Sequence, residues 1–162
     1  MNAKERSPLD APVASNRRAR HDYEILDVVE AGIVLVGSEV KSARAGQVQL
    51  AEGYAHVIGR EMFLEGVHIA PYAFASGVGG HEPVRRRKLL LHAEQIRRLG
   101  DRVARERLTL VPLEMRFRGG KVKVDLALAR GRKKVDRRQA IAKKESEIEM
   151  KRAASRITRR ED

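Results

Sequence analysis

The sequence predicts a mainly β protein: a small closed or partly open β-barrel with peripheral helices, followed by a basic tail. Three observations lead there. Short apolar runs recur between Tyr23 and Leu128, divided by turns containing glycine. Leu113, Met115 and Phe117 alternate with charged residues, as do Val122, Val124 and Leu126, and the two arms flank Gly119-Gly120 as a hairpin would. Beyond Ala129 the chain turns to a charged segment without aromatic residues. With 162 residues there is room for one domain with a core, not for two.

Residues 1–15 hold Pro8, Pro12 and small polar residues without periodicity, so they read as a flexible leader, with the barrel over 16–130 and the tail over 131–162. Arg17, Arg18, Arg20 and His21 precede Tyr23 and the apolar Ile25-Leu26 and Val28-Val29. Guanidinium groups beside Asn16 suit phosphate contacts joined to one specific hydrogen-bonding group, although a solvated approach to a strand has the same composition. Glu30 is an acid among bases. It either pairs with a nearby arginine or accepts hydrogen bonds from exposed base amino groups.

Ile33 to Val36 reads as a strand buried on both faces, broken at Gly37. Ser38 then suits the cap of a short helix that places Lys41 and Arg44 on one face and ends at Gly46. Tyr54–Ile58 and Met62–Leu64 flank a hairpin loop at Gly59-Arg60-Glu61, and Val67 and Ile69 form a short strand before Pro71. Ser76 to Pro83 is a flexible glycine-containing loop; it lacks the Gly-Lys-Ser/Thr of a phosphate-binding P-loop.

Arg85, Arg86, Arg87 and Lys88 are adjacent cations that repel one another unless an anion is bound, though such a run also occurs as a solvated patch. Ile96, Leu99 and Val103 recur at helical spacing, which predicts an amphipathic helix from about His92 to Arg107 that closes one end of the sheet. Leu108–Val111 reads as a further strand before the hairpin, whose outer face carries Arg116, Arg118, Lys121 and Lys123. From Gly131 onward twelve Lys and Arg face six Asp and Glu, so the tail supplies +6 of the net +12. With few large apolar residues it cannot offset its ordering entropy by burial, and disorder in the free chain is expected, with folding onto RNA.

The charge and the sequence pI of about 10.6 point to a polyanionic partner, nucleic acid first. Absence of cysteine removes disulfides and thiolate metal sites and suits a reducing cytoplasm. Neither a signal-peptide-like run nor a membrane-length apolar stretch is present. His56, His68 and His81 lack partners at ligand spacing, so no metal or other cofactor is expected. Ser38–Lys41 fits the S-x-x-K of penicillin-recognising enzymes by chance, since neither companion motif follows. Glu30, Glu39, Asp101 and Asp125 form no acid–base set, which argues against an enzyme. Three Tyr, three Phe and no Trp favour recognition of a folded RNA by shape over base-by-base stacking.

Four blocks carry a family resemblance: Asn16-Arg-Arg-Ala-Arg-His-Asp-Tyr23, Glu30 to Gly46, Arg87-Lys88-Leu89-Leu90-Leu91, and Gly131-Arg132-Lys133-Lys134 leading into Asp136-Arg137-Arg138. In this order the chain resembles the bacterial SsrA-binding protein family, partners of transfer-messenger RNA in ribosome rescue. The resemblance implies the OB-like version of the barrel, with no enzymatic activity. It also implies a monomer bound one-to-one to RNA and standing in for a missing anticodon arm. Glu30 would contribute to RNA recognition, and Leu90 would pack against RNA. Together with the basic clusters, the RNA-binding set is Asn16, Arg17, Arg18, Arg20, His21, Glu30, Lys41, Arg44, Arg87, Lys88 and Leu90. The tail would enter the ribosome's message path as a helix, with Lys133, Lys134, Asp136, Arg137, Arg138, Lys143 and Lys144 as its contacts. The family often has an aromatic or imidazole ring before the Asp-basic-basic triplet, where Val135 stands here. The alternative for such a chain is a structural ribosomal protein, with the same basic barrel and extension.

Overall fold

The structure is a computed structural model that describes residues 12–72, 80–132 and 134–160, the side chains of 134–137 and 157–160 excepted. It divides into two units, Met1–Gly131 and Arg132–Asp162. In the first, strands β2 (Tyr23–Ile33), β4 (Tyr54–Ile58), β5 (Glu61–Glu65), β7 (Arg87–Leu90), β8 (Thr109–Arg118) and β9 (Lys121–Gly131) pair antiparallel. Their order β8-β4-β5-β7-β2-β9 closes into a ring because β9 also pairs with β8. The seams are unequal. β4 meets β8 through the single pair Ala55↔Leu110, whereas β8 and β9 run together from Thr109↔Ala129 to Arg118↔Lys121.

Alternation decides what enters the barrel. Met62, Leu64, Leu89, Met115, Val124 and Leu126 are at most 1% exposed, while their strand neighbours face outward. Helix α3 (Ala93–Glu106) covers one side of the core with Ile96 and Leu99, flanked by His92 and by Arg107 in the left-handed conformation. Its span matches the amphipathic stretch. Gly119 and Gly120 both adopt positive φ, the geometry of a two-residue hairpin turn, and the adjacent pair is Arg118↔Lys121. A two-stranded sheet of β3 (Val48–Gln49) and β6 (His68–Ile69) lies outside the ring.

Several expectations need correction. Order begins before Asn16: β1 (Pro12–Ser15), within the stretch read as leader, adds to β8. The strand read at Ile33–Val36 ends at Ile33; Val34 and Val36 are each 45% exposed, and the buried run is instead Ala31–Ile33 at the end of β2. Helix α2 (Gly37–Arg44) is not capped by Ser38; the Glu39 carboxylate reaches back to accept from the Val36 N–H at 3.0 Å. Ser38 is buried and bonds the His81 ring at 2.8 Å. Gly46 does follow the helix at φ 73°.

Leu108–Val111 and the hairpin arm are one strand: β8 passes through Pro112, and a bulge between Pro112 and Glu114 absorbs the missing N–H. The tail, read as disordered when free, forms helix α4 (Lys134–Arg160). Good helix formers and no proline sustain it without burial, and Ile141, Ile148 and Met150 stay exposed. The leader's residues 1–11 and part of the Ser76–Pro83 loop, 76–79, lie outside the described residues.

Candidate nucleic-acid interface

Three outward-facing strands, β2, β9 and β8, hold Glu30, Asp125 and Lys123, and Arg116 and Arg118, in neighbouring rows. Glu30 Oε2 accepts from Arg116 Nη2 at 2.5 Å and from Arg118 Nη1 at 2.9 Å. Arg116 also donates to Asp125. Burial pushes the Glu30 carboxyl up, but the hydrogen bonds and charges of the two guanidinium groups outweigh it and hold its pKa below 4.5. Arg116, donating to both carboxylates, is pushed above its ordinary value, chiefly by Asp125. Glu30 therefore pairs with arginines, and its acceptor capacity is largely taken up.

Two residues along β2 from Glu30, Gly32 lies against Leu90, its register partner in β7. A Cβ at Gly32 would come within 3.2 Å of the Leu90 Cβ and 3.7 Å of the Lys123 Nζ. Gly32, Leu35, Val40, Leu90, Lys121 and Lys123 line a shallow hollow of about 270 Å³. Leu89 is buried while Leu90 is 53% exposed, so the strand's period puts one leucine in the core and the next in solvent. The sequence marks this leucine; it does not mark the hollow, for which an isolated glycine in a strand was the available sign.

Next to the hollow, α2 presents Lys41 and Arg44. Their charges sit over aromatic rings, Lys41 Nζ 5.4 Å from the centre of Tyr72 and Arg44 4.8 Å from that of Phe117. The helix is held by Glu39, fully buried, which accepts from Arg85 and, at 2.5 Å, from Arg87 Nε. Burial raises the Glu39 pKa, yet Arg85, the Val36 N–H and Arg87 together bring it below 4.5.

Two residues assigned to RNA by sequence are structural. Arg87 is 0% exposed and also donates to the carbonyls of Val67 and Pro83. Asn16 is 6% exposed; its Oδ1 accepts from the Ala19 N–H at 3.2 Å, capping helix α1 (Arg17–Asp22), and its Nδ2 donates to the Pro112 carbonyl at 2.9 Å. The run Arg85–Lys88 does not need an external anion: Arg85 and Arg87 face Glu39, Arg86 faces Glu65, and Lys88, exposed, faces Glu61. A carboxylate some forty-eight residues upstream supplied what the local run lacked.

Helix α1 is anchored by Ala19 against Val111, Leu113, Ala127 and Ala129, which leaves Arg17, Arg18, Arg20 and His21 exposed. Arg18 approaches Asp22 at 3.5 Å and Glu52 at 3.8 Å, and His21 lies 3.6 Å from Asp22. In the second unit Arg138, Lys143 and Lys144 are exposed on α4. Lys133 and the side chains of Lys134, Val135, Asp136 and Arg137 lie outside the described residues. Among the described residues no group of His, Asp or Glu could hold a metal, and no helix is long and apolar enough to cross a membrane.

A closed antiparallel barrel with an exposed leucine in a lysine-flanked hollow, followed in the chain by a second unit that is a basic helix, defines a small basic β-barrel protein suited to a polyanion. Residues 13–156 match the family model described as SmpB protein, and the chain belongs to that family. It is 49% identical over 152 residues to the SsrA-binding protein of Roseiflexus sp. (strain RS-1), covering 94% of this chain and 96% of that one. It is 52% identical over 144 residues to the SsrA-binding protein of Acidothermus cellulolyticus, covering 89% and 90%. A solved chain described under "tmRNA-SmpB: a journey to the center of the bacterial ribosome" is similar with TM-score 0.65 and 48% identity, covering 81% of this chain and 95% of that one.

Proposed function

We propose that this protein binds the tRNA-like part of transfer-messenger RNA through its barrel and carries it to stalled ribosomes in the bacterial cytoplasm. There it takes the place of an anticodon arm, so that the nascent peptide is tagged for degradation and the ribosome released. It performs no chemistry itself. The barrel, residues 12–131, reads the RNA; the segment 132–162, which contains helix α4, acts in the decoding region and message path.

The observation that carries this reading is Leu90, half exposed in a hollow lined by Lys121, Lys123 and Val40 of α2, on a chain about half identical to SsrA-binding proteins. Arg17, Arg18, Arg20, His21, Lys41 and Arg44 add exposed charge to the barrel side, and Lys88 does so less, through its pairing with Glu61. On the tail, Arg138, Lys143 and Lys144 supply the ribosomal contacts with Lys133, Lys134, Asp136 and Arg137.

The test is a titration of the full-length chain and a 1–131 truncation with the tRNA-like fragment and with an ordinary tRNA, at several salt concentrations. Both the full-length chain and the truncation should prefer the tRNA-like fragment at physiological salt. Equal binding of both RNAs, chiefly through the tail, would sink the specific reading and favour a structural ribosomal protein, as would stable co-sedimentation with ribosomes from cells lacking transfer-messenger RNA.

A further inference from the structure

Glu30 poses a problem for any account of this surface. An anion on a face that meets a polyanion should weaken binding by repulsion. Its oxygens are also engaged, Oε2 by Arg116 and Arg118 and Oε1 by Arg118 at 3.1 Å. Arg118 shows the complementary pattern. Only its Nη1 has a partner among the described residues, its side chain is 48% exposed, and it stands at the last rung before the Gly119-Gly120 turn. The guanidinium is planar, so anchoring Nη1 on a carboxylate leaves the Nε–H and Nη2–H edge as a fork of donors, the geometry that suits a phosphate. Arg116 completes the arrangement: held between Glu30 and Asp125, it fixes the carboxylate that fixes Arg118.

We propose that Glu30 is a positioning residue that acts on RNA through Arg118, and that Arg118 donates its free N–H groups to a phosphate oxygen beside the Leu90 hollow. The inference rests on the proposed function and deepens it. It gives the RNA surface a guanidinium contact outside the set assigned by sequence, and it takes the carboxylate away from the bases.

The experiment is a double-mutant cycle on the full-length chain with Glu30→Gln, Arg118→Gln and both, titrated with the tRNA-like fragment across a salt series. Glu30→Gln keeps shape and an acceptor oxygen while removing the charge that holds the guanidinium. Arg118→Gln should weaken binding about tenfold, as loss of a charge-assisted hydrogen bond does. It should also flatten the slope of log affinity against log salt by about 0.7 to 0.9, the share of one phosphate. Glu30→Gln should weaken binding despite removing a repulsive charge, and the double variant should bind no worse than Arg118→Gln.

A Glu30→Gln loss that persists undiminished in the Arg118→Gln background would place the carboxylate on the RNA itself and overturn the proposal. Tighter binding by Glu30→Gln would do the same, as would losses that track a lowered thermal midpoint with the salt slope unchanged. If the wild-type chain shows no preference over ordinary tRNA, the proposed function falls and this inference with it; a clear preference with an additive cycle sinks this inference alone.

Discussion

Glu39 and Arg87 are both fully buried and joined at 2.5 Å, so each is tolerable only because the other is there. Glu39→Ala leaves two guanidinium groups facing an empty site and should cost about 3–5 kcal/mol of stability, measurable by denaturant unfolding. The pair also sets a pH dependence. Glu39 has a folded pKa below its ordinary 4.5, so its contribution is present above pH 4.5, declines as pH falls below it, and is gone below the lowered value. An acid titration of stability should therefore be flatter in Glu39→Gln than in wild type.

Asn16→Ala removes a cap and an anchor to Pro112 and should cost about 1–2 kcal/mol. Its effect on RNA binding at low temperature, where α1 still folds, should be under about twofold; a large loss there would return Asn16 to the RNA surface. Residue type showed which positions are charged, and the family resemblance singled out Leu90. It could not show that Arg87 faces Glu39 or that Asn16 faces Pro112, because those partners are distant in sequence and only the fold brings them together.

Among the elements, those with a strong internal period were legible. The β8–β9 hairpin and α3 sit where alternation and helical spacing place them. Elements whose limits are set by neighbours were not. β2 ends at Ile33 although the apolar run continues and β7 runs on to Arg87; beyond the pair Ile33↔Leu89 one more backbone bond, from Val34 to the Lys88 carbonyl at 2.9 Å, precedes the turn into α2. β8 continues through Pro112 because a bulge accommodates it. Turns carry the sharpest sensitivity. A Cβ at Gly66, φ 75°, would fall 2.2 Å from the Glu52 carbonyl oxygen, so Gly66→Ala should destabilise by more than the roughly 1 kcal/mol of an unhindered left-handed site. Helix α4 makes a separate prediction: Ala153→Gly should lower its helicity by circular dichroism, at about 1 kcal/mol per site, without moving the unfolding midpoint of the barrel.

At the scale of the molecule, charge and closure divide the work. The tail holds +6 of the net +12, so the 1–131 truncation should lose affinity for any RNA and show a shallower salt dependence while keeping its choice between RNAs. That the chain makes a small basic barrel was legible from strand spacing and charge. That the ring closes on a single Ala55↔Leu110 pair was not, since no local pattern encodes a contact between strands so far apart. Closure has one more effect. Each ring strand has a neighbour on either side for at least part of its length, and the terminal strand of the large sheet, β1, is four residues long and opens with a proline. Strand-on-strand templating, the first step towards a cross-β fibril, finds almost no starting ledge there. A chain of net charge +12 crowded on a polyanion would therefore meet its neighbours at β1 with little free backbone to extend.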